Sequence, residues 1–205
     1  MSPSASGLEK FRRPHRAALW LAPFLAILSA LPASAGEETL VLDPARSSLA
    51  FVLGGTAHDV EGTLALEAGT ITFDRATGAA GGEITIDAAK TATGSEGRDE
   101  KMHAEVLLSA KFPRIVFRPQ KLEGQLAPSG KSRIGLRGKV GLVGVEHELL
   151  LPAEVEIAGD EVVATSTFKI PFVAWGLHDP SVFVLRVDKE VVVTLRIEGK
   201  LAAGR

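Results

Sequence analysis

The chain holds 205 residues, with 23 Lys and Arg against 25 Asp and Glu, a net charge of −2 and no cysteine. Such a length suits one domain, and without cysteine neither a disulfide framework nor a thiolate metal or redox site is possible. The slight acid excess and an aromatic content of 5% with no tyrosine argue against the basic faces and stacking platforms that bind nucleic acid.

Taken in order, the chain opens on Lys10, Arg12, Arg13 and Arg16, then the apolar run Ala17 to Leu31, then Ala33-Ser34-Ala35. The run of 15 residues is short of the roughly 20 that span a bilayer. A basic region, an apolar run and a small-x-small triplet form the order of an export signal. The reading predicts a cleaved Sec-type signal peptide over residues 1–35 and a mature domain over residues 36–205, periplasmic or secreted. Arg12-Arg13 lacks the flanks of a twin-arginine signal, and no cysteine follows the run to carry a lipid. Taking Glu9 and the four basic residues from the totals of 25 acidic and 23 basic leaves a mature net charge of −5.

Strand patterns then follow at regular spacing. Thr39 to Leu42 ends at Asp43-Pro44, Ser47 to Leu53 ends at Gly54-Gly55, and Ala57 to Leu66 alternates with His58, Val60, Gly62, Leu64 and Leu66 on one face. Gly69 to Phe73 reads as a separate strand, and Glu83 to Ala88 places Ile84 and Ile86 opposite Thr85 and Asp87.

The period changes between Thr91 and Arg118. Thr93, Gly94 and Ser95 break the strand, Thr93 with Glu96 fits a capping box, and Glu96, Asp99 and Glu100 put acid in a first helical turn. Met102, Val106 and Ser109 give a modest apolar helical face, and Phe112-Pro113 stops it. Strands resume at Ile115 to Glu123, Ser132 to Leu142, His147 to Ile157, Val162 to Ile170 and Val187 to Lys200. Pro152 marks an edge or bulge, and Pro171 to Pro180 breaks the pattern.

Eight or nine strands with regular turns predict an all-β sandwich or barrel. Strands near ten residues favour an antiparallel, lipocalin-like β-barrel of about eight strands, with a short helical insert near residues 95–110 at its end or side. The inward phase nominates Val60, Leu64, Ile84, Ile86, Ile115 and Phe117 for the wall, with Met102 from the insert. Trp175, with Phe172 and Phe183, forms a plug at one end or a lid over a ligand. His58, His103, His147 and His178 are too scattered for a local metal motif. Glu96, Asp99 and Glu100 read as helix-start acids, and His178, Asp179 and Ser181 lack a nucleophile elbow.

Several segments carry a resemblance. Leu42-Asp43-Pro44-Ala45-Arg46-Ser47-Ser48-Leu49-Ala50-Phe51 and Val60-Glu61-Gly62-Thr63-Leu64 open it. Glu83-Ile84-Thr85-Ile86-Asp87 leads to Thr93-Gly94-Ser95-Glu96-Gly97-Arg98-Asp99, then Phe112-Pro113-Arg114-Ile115-Val116-Phe117 and Leu142-Val143-Gly144-Val145-Glu146-His147. The chain resembles the YceI-like family of exported, polyisoprenoid-binding, lipocalin-like proteins from about Leu40 to Leu201. The resemblance implies an isoprenoid or similar amphiphile, such as a polyprenyl chain or quinone, held in a long pocket without catalysis or cofactor. On this reading His58, Arg98, Asp99 and His147 are candidate head-group contacts. The alternative is a filled-core, structural or stress-related module that docks a membrane or redox partner. The oligomeric state stays open, a homodimer included.

Overall fold

The computed structural model describes residues 36–181 and 186–202. The strands are β1 (Glu38–Leu42), β2 (Ser48–Leu53), β3 (Val60–Phe73), β4 (Ala80–Ala92), β5 (Arg114–Glu123), β6 (Gly130–Leu142), β7 (Val145–Ala158), β8 (Glu161–Ile170) and β9 (Val191–Ala202). Every ladder between them is antiparallel.

The order closes on itself as an eight-stave barrel. β1 and β2 both lie between β3 and β9. β1 pairs with Thr70–Phe73 and Gly199–Ala202, whereas β2 pairs with Val60–Leu64 and Val192–Arg196. They form one stave interrupted at residues 43–47, where the Asp43 carboxylate accepts from the Ala45 N–H and the Ser47 hydroxyl donates to the Asp43 carbonyl. Closure removes the free strand edges that would otherwise invite association.

Two predicted strands, Ala57 to Leu66 and Gly69 to Phe73, are one strand, β3. Gly69 does not turn the chain. A Cβ there would lie 2.4 Å from Leu42 Cδ1, so the glycine makes room for a neighbour's side chain inside the barrel. β4 also runs past its predicted ends, and β9 begins at Val191, with Val187 forming an isolated bridge to Gly55.

The helical insert is present, with a different start and finish from those expected. Helix α1 (Glu96–Lys101) passes directly into a π-helical turn, Met102–Val106. Ser95 occupies the N-cap with no side-chain bond, so the Thr93–Glu96 capping box does not form. Asp99 takes the hydroxyl of Thr93 instead. Beyond the π turn, Leu108 adopts a φ of 47°, and Phe112 packs where a Cβ on Gly144 would stand, 2.7 Å from the ring. Val143 and Gly144, both at positive φ, make the two-residue β6–β7 turn.

The barrel has two unlike halves. At the end opposite the helix, Leu40, Leu42, Phe73, Leu122, Leu126 and Ile157 are buried in one cluster. Leu126 comes from the β5–β6 loop. Arg75 binds that loop through the Leu126 carbonyl (3.0 Å) and pairs with Glu38. At the helix end the staves surround a space.

Candidate functional site

That space is a cavity of about 660 Å³, within the range of small-ligand sites. Each stave contributes inward aliphatic or phenyl groups. They are Leu49, Phe51 and Leu53 from β2, Val60 and Leu64 from β3, Ile84 and Ile86 from β4, and Ile115 and Phe117 from β5. Val140 and Leu142, Leu149 and Leu151, Phe168 and Ile170, and Val191 through Ile197 on alternate positions complete the wall. Strand alternation alone produces this lining, because every second side chain points inward.

The helix and the 171–181 segment frame the mouth. Met102, Val106 and Leu107 line the cavity from one side, and Phe172, Trp175 and Leu177 from the other. Among the described residues, the charged side chains of the lining, Arg98, Lys101 and Glu105, all lie at this end, together with the His178 imidazole. Glu105 of the π turn and His178 of the facing segment approach to 3.7 Å.

Arg98 is held by a relay. Its Nε donates to the Thr93 hydroxyl at 2.9 Å, and that hydroxyl donates to Asp99 at 2.6 Å. The Thr93 N–H gives Asp99 a second bond at 2.8 Å. These bonds, the hydroxyl's first, hold the Asp99 carboxyl below its ordinary range. Among the described residues, no carboxylate forms a salt bridge with the Arg98 guanidinium. Its charge is therefore available at the mouth.

Of the predicted ligand-binding residues, Val60, Leu64, Ile84, Ile86, Met102, Ile115, Phe117 and Trp175 all line the cavity. Phe183 lies outside the described residues. Of the predicted head-group contacts, Arg98 lines the cavity and the other three do not. Asp99 is turned away because it is spent on Thr93. His58 is exposed in the loop before β3. His147 lies behind Trp175, stacked on the indole with ring centroids 4.3 Å apart and planes within 1°. Its Nε2 is buried without a partner among the described residues.

Thr91 was not visible in the sequence as a lining residue. It is 3% exposed, lines the cavity and leaves its hydroxyl without a partner among the described residues. Ala88 is buried, Ala89 and Lys90 are exposed, and Thr91 is buried again, so the alternation slips by one residue. The β3–β4 register shifts at the same place, between the Thr63 and Ala65 pairs.

A family model described as the YceI-like domain matches residues 40–199. The chain belongs to the YceI-like family. Among solved structures, it is similar to a polyisoprenoid binding domain from Saccharophagus degradans implicated in plant cell wall breakdown. That match has a TM-score of 0.65 and 16% identity, and covers 80% of this chain and 98% of the other. Burkholderia cenocepacia BcnA matches with a TM-score of 0.61 and 18% identity, over 79% of this chain and 99% of its own. A Campylobacter jejuni YceI protein matches with a TM-score of 0.52 and 15% identity, over 69% and 82%. At these identities the likeness establishes the fold. No curated protein matches.

Proposed function

We propose that this YceI-like protein is an exported, non-catalytic carrier that holds the tail of an isoprenoid or similar amphiphile in the upper half of its barrel. The observation that carries the reading is the apolar cavity of about 660 Å³, walled by every stave and, among the described residues, charged only at its mouth. The name of the Saccharophagus degradans domain, a polyisoprenoid binding domain, supports the same ligand class. Each methylene withdrawn from water contributes about 0.8 kcal/mol, so a five-carbon unit gains roughly 4 kcal/mol. A tail already in a bilayer gains almost none of this. The protein therefore suits lipid in transit or in storage better than extraction from a membrane. The hollow upper half weighs against the filled-core interaction module.

The test is native mass spectrometry of the protein purified from its own host, followed by organic extraction. The expected result is a bound mass that is released and identified as a prenyl lipid, on a chain beginning at Gly36. An apo mass, with no uptake of added quinones or prenyl alcohols, would overturn the carrier reading. A chain still carrying residues 1–35 would overturn the export reading alone.

A further inference from the structure

We infer that the packed lower half of the barrel acts as a length gauge, so that this chain encloses tails of about four isoprene units and leaves the remainder of a longer tail outside. The inference rests on the reading of the cavity as a tail site.

Volume gives the first argument. At about 30 Å³ for each methylene-sized group, the share of a water in its liquid, 660 Å³ holds about 22 groups. Four isoprene units supply about that number of carbons.

The floor gives the second. Leu49 is 4% exposed, lines the cavity and also belongs to the buried cluster below it. Leu64, Ile84, Leu195 and Ile197 likewise line the cavity and pack against that cluster. On β9 the lining stops at Ile197, although the strand runs on to Ala202. A Cβ on Gly199, two residues further, would meet the Val41 carbonyl at 2.5 Å and Leu40 at 3.1 Å. From Val191 to Ile197 the lining covers about 20 Å along the strand, or about 15 Å of depth at an ordinary barrel tilt. Below that, Leu126 closes the end and Arg75 fixes its loop. A tail cannot pass through.

The mouth gives the third. Units that do not fit must leave past Arg98, Lys101, Glu105 and His178. There they meet charge and water and gain no burial.

The experiment measures binding of a prenyl alcohol series to the full-length chain, from geraniol through farnesol and geranylgeraniol to solanesol, each delivered from cyclodextrin, with Kd referred to the free aqueous alcohol. Each unit enclosed should strengthen binding by roughly a hundredfold or more. The rise should stop at geranylgeraniol, with solanesol within about one such step of it. Ile84→Phe, which fills space at the floor, should move the break to a shorter alcohol, and Leu49→Ala should move it to a longer one. If Leu49→Ala does not fold, the unaltered chain and Ile84→Phe decide the matter. Equal steps continuing to solanesol would overturn the gauge and leave the tail site standing. Binding by no member of the series would overturn the tail site itself.

Discussion

Thr91 and Asp99 show how single polar groups shape the mouth. The Thr91 hydroxyl is buried in an apolar wall and unpartnered among the described residues. An unmet buried hydroxyl costs on the order of 1–3 kcal/mol. Thr91→Val, nearly the same shape, should therefore raise the stability of the ligand-free protein by about 1 kcal/mol in urea unfolding. A stability loss would mean that the hydroxyl is satisfied in the folded protein. Asp99 has the opposite character. Its carboxyl sits below its ordinary range because Thr93 donates to its charged form. A group whose pKa is lower when folded contributes stability above its unfolded pKa, and that stability is lost as pH falls through the folded value. Asp99→Asn should therefore reduce the stability lost between the ordinary carboxylate range and lower pH, as read by thermal melts across that window. It should also loosen Arg98, which Asp99 orients through Thr93, and so weaken binding of an anionic amphiphile more than of the matching alcohol. Equal weakening of both would assign Asp99 a merely structural role.

At the scale of elements, β7 and β8 meet along a short seam, as β4 and β5 do. The β7–β8 ladder covers Glu154–Ala158 and Glu161–Thr165, although β7 begins at Val145 and β8 continues to Ile170. Pro152 stands just before the ladder and cannot donate to it, and the Ser166 hydroxyl donates to its carbonyl at 2.6 Å instead. Trp175 packs against the cluster of Phe117, Val140 and Leu151, as Phe168 of β8 and Leu149 of β7 also do, and stacks on the His147 ring. It thus acts as a wedge between wall and mouth. Trp175→Ala should cost about 2–3 kcal/mol, less than a fully buried aromatic, and should speed both loading and release of a fluorescent amphiphile in stopped flow. Unchanged rates would confine Trp175 to packing.

The seam also marks what the sequence carries and what it does not. Strand alternation made the wall legible: Ile84, Ile86, Ile115 and Phe117 point inward as their period requires. Pro152 signalled an irregularity. The Trp175–His147 stack was not legible, because it joins a loop to a strand across 28 positions, and no local period encodes that. Thr91 was hidden by a bulge that resets the phase. Asp99 was placed beside Arg98 by adjacency, but its carboxylate turned back to the chain that precedes the helix.

At the scale of the whole molecule, the hollow half raises a question of stability. A dry void of 660 Å³ would cost on the order of 16 kcal/mol at about 24 cal/mol per Å³. That exceeds the roughly 5–15 kcal/mol by which domains are usually stable. The space is therefore filled when the chain is folded, by water or by an apolar guest. Water gains little against a wall of Leu, Ile, Val and Phe, so the guest should stabilise the barrel strongly. Stripping the protein of lipid by reverse-phase chromatography and refolding should lower its midpoint of thermal unfolding. Returning geranylgeraniol should restore it, with the gain rising as the logarithm of free ligand and reaching about 2.7 kcal/mol at a hundredfold excess over Kd. The lower core, with Leu126 held by Arg75, should stay protected from amide exchange in both states, while the residues around the cavity gain protection only when lipid is bound. Uniform protection in both states, with no shift in the midpoint, would mean that the barrel is complete without a guest.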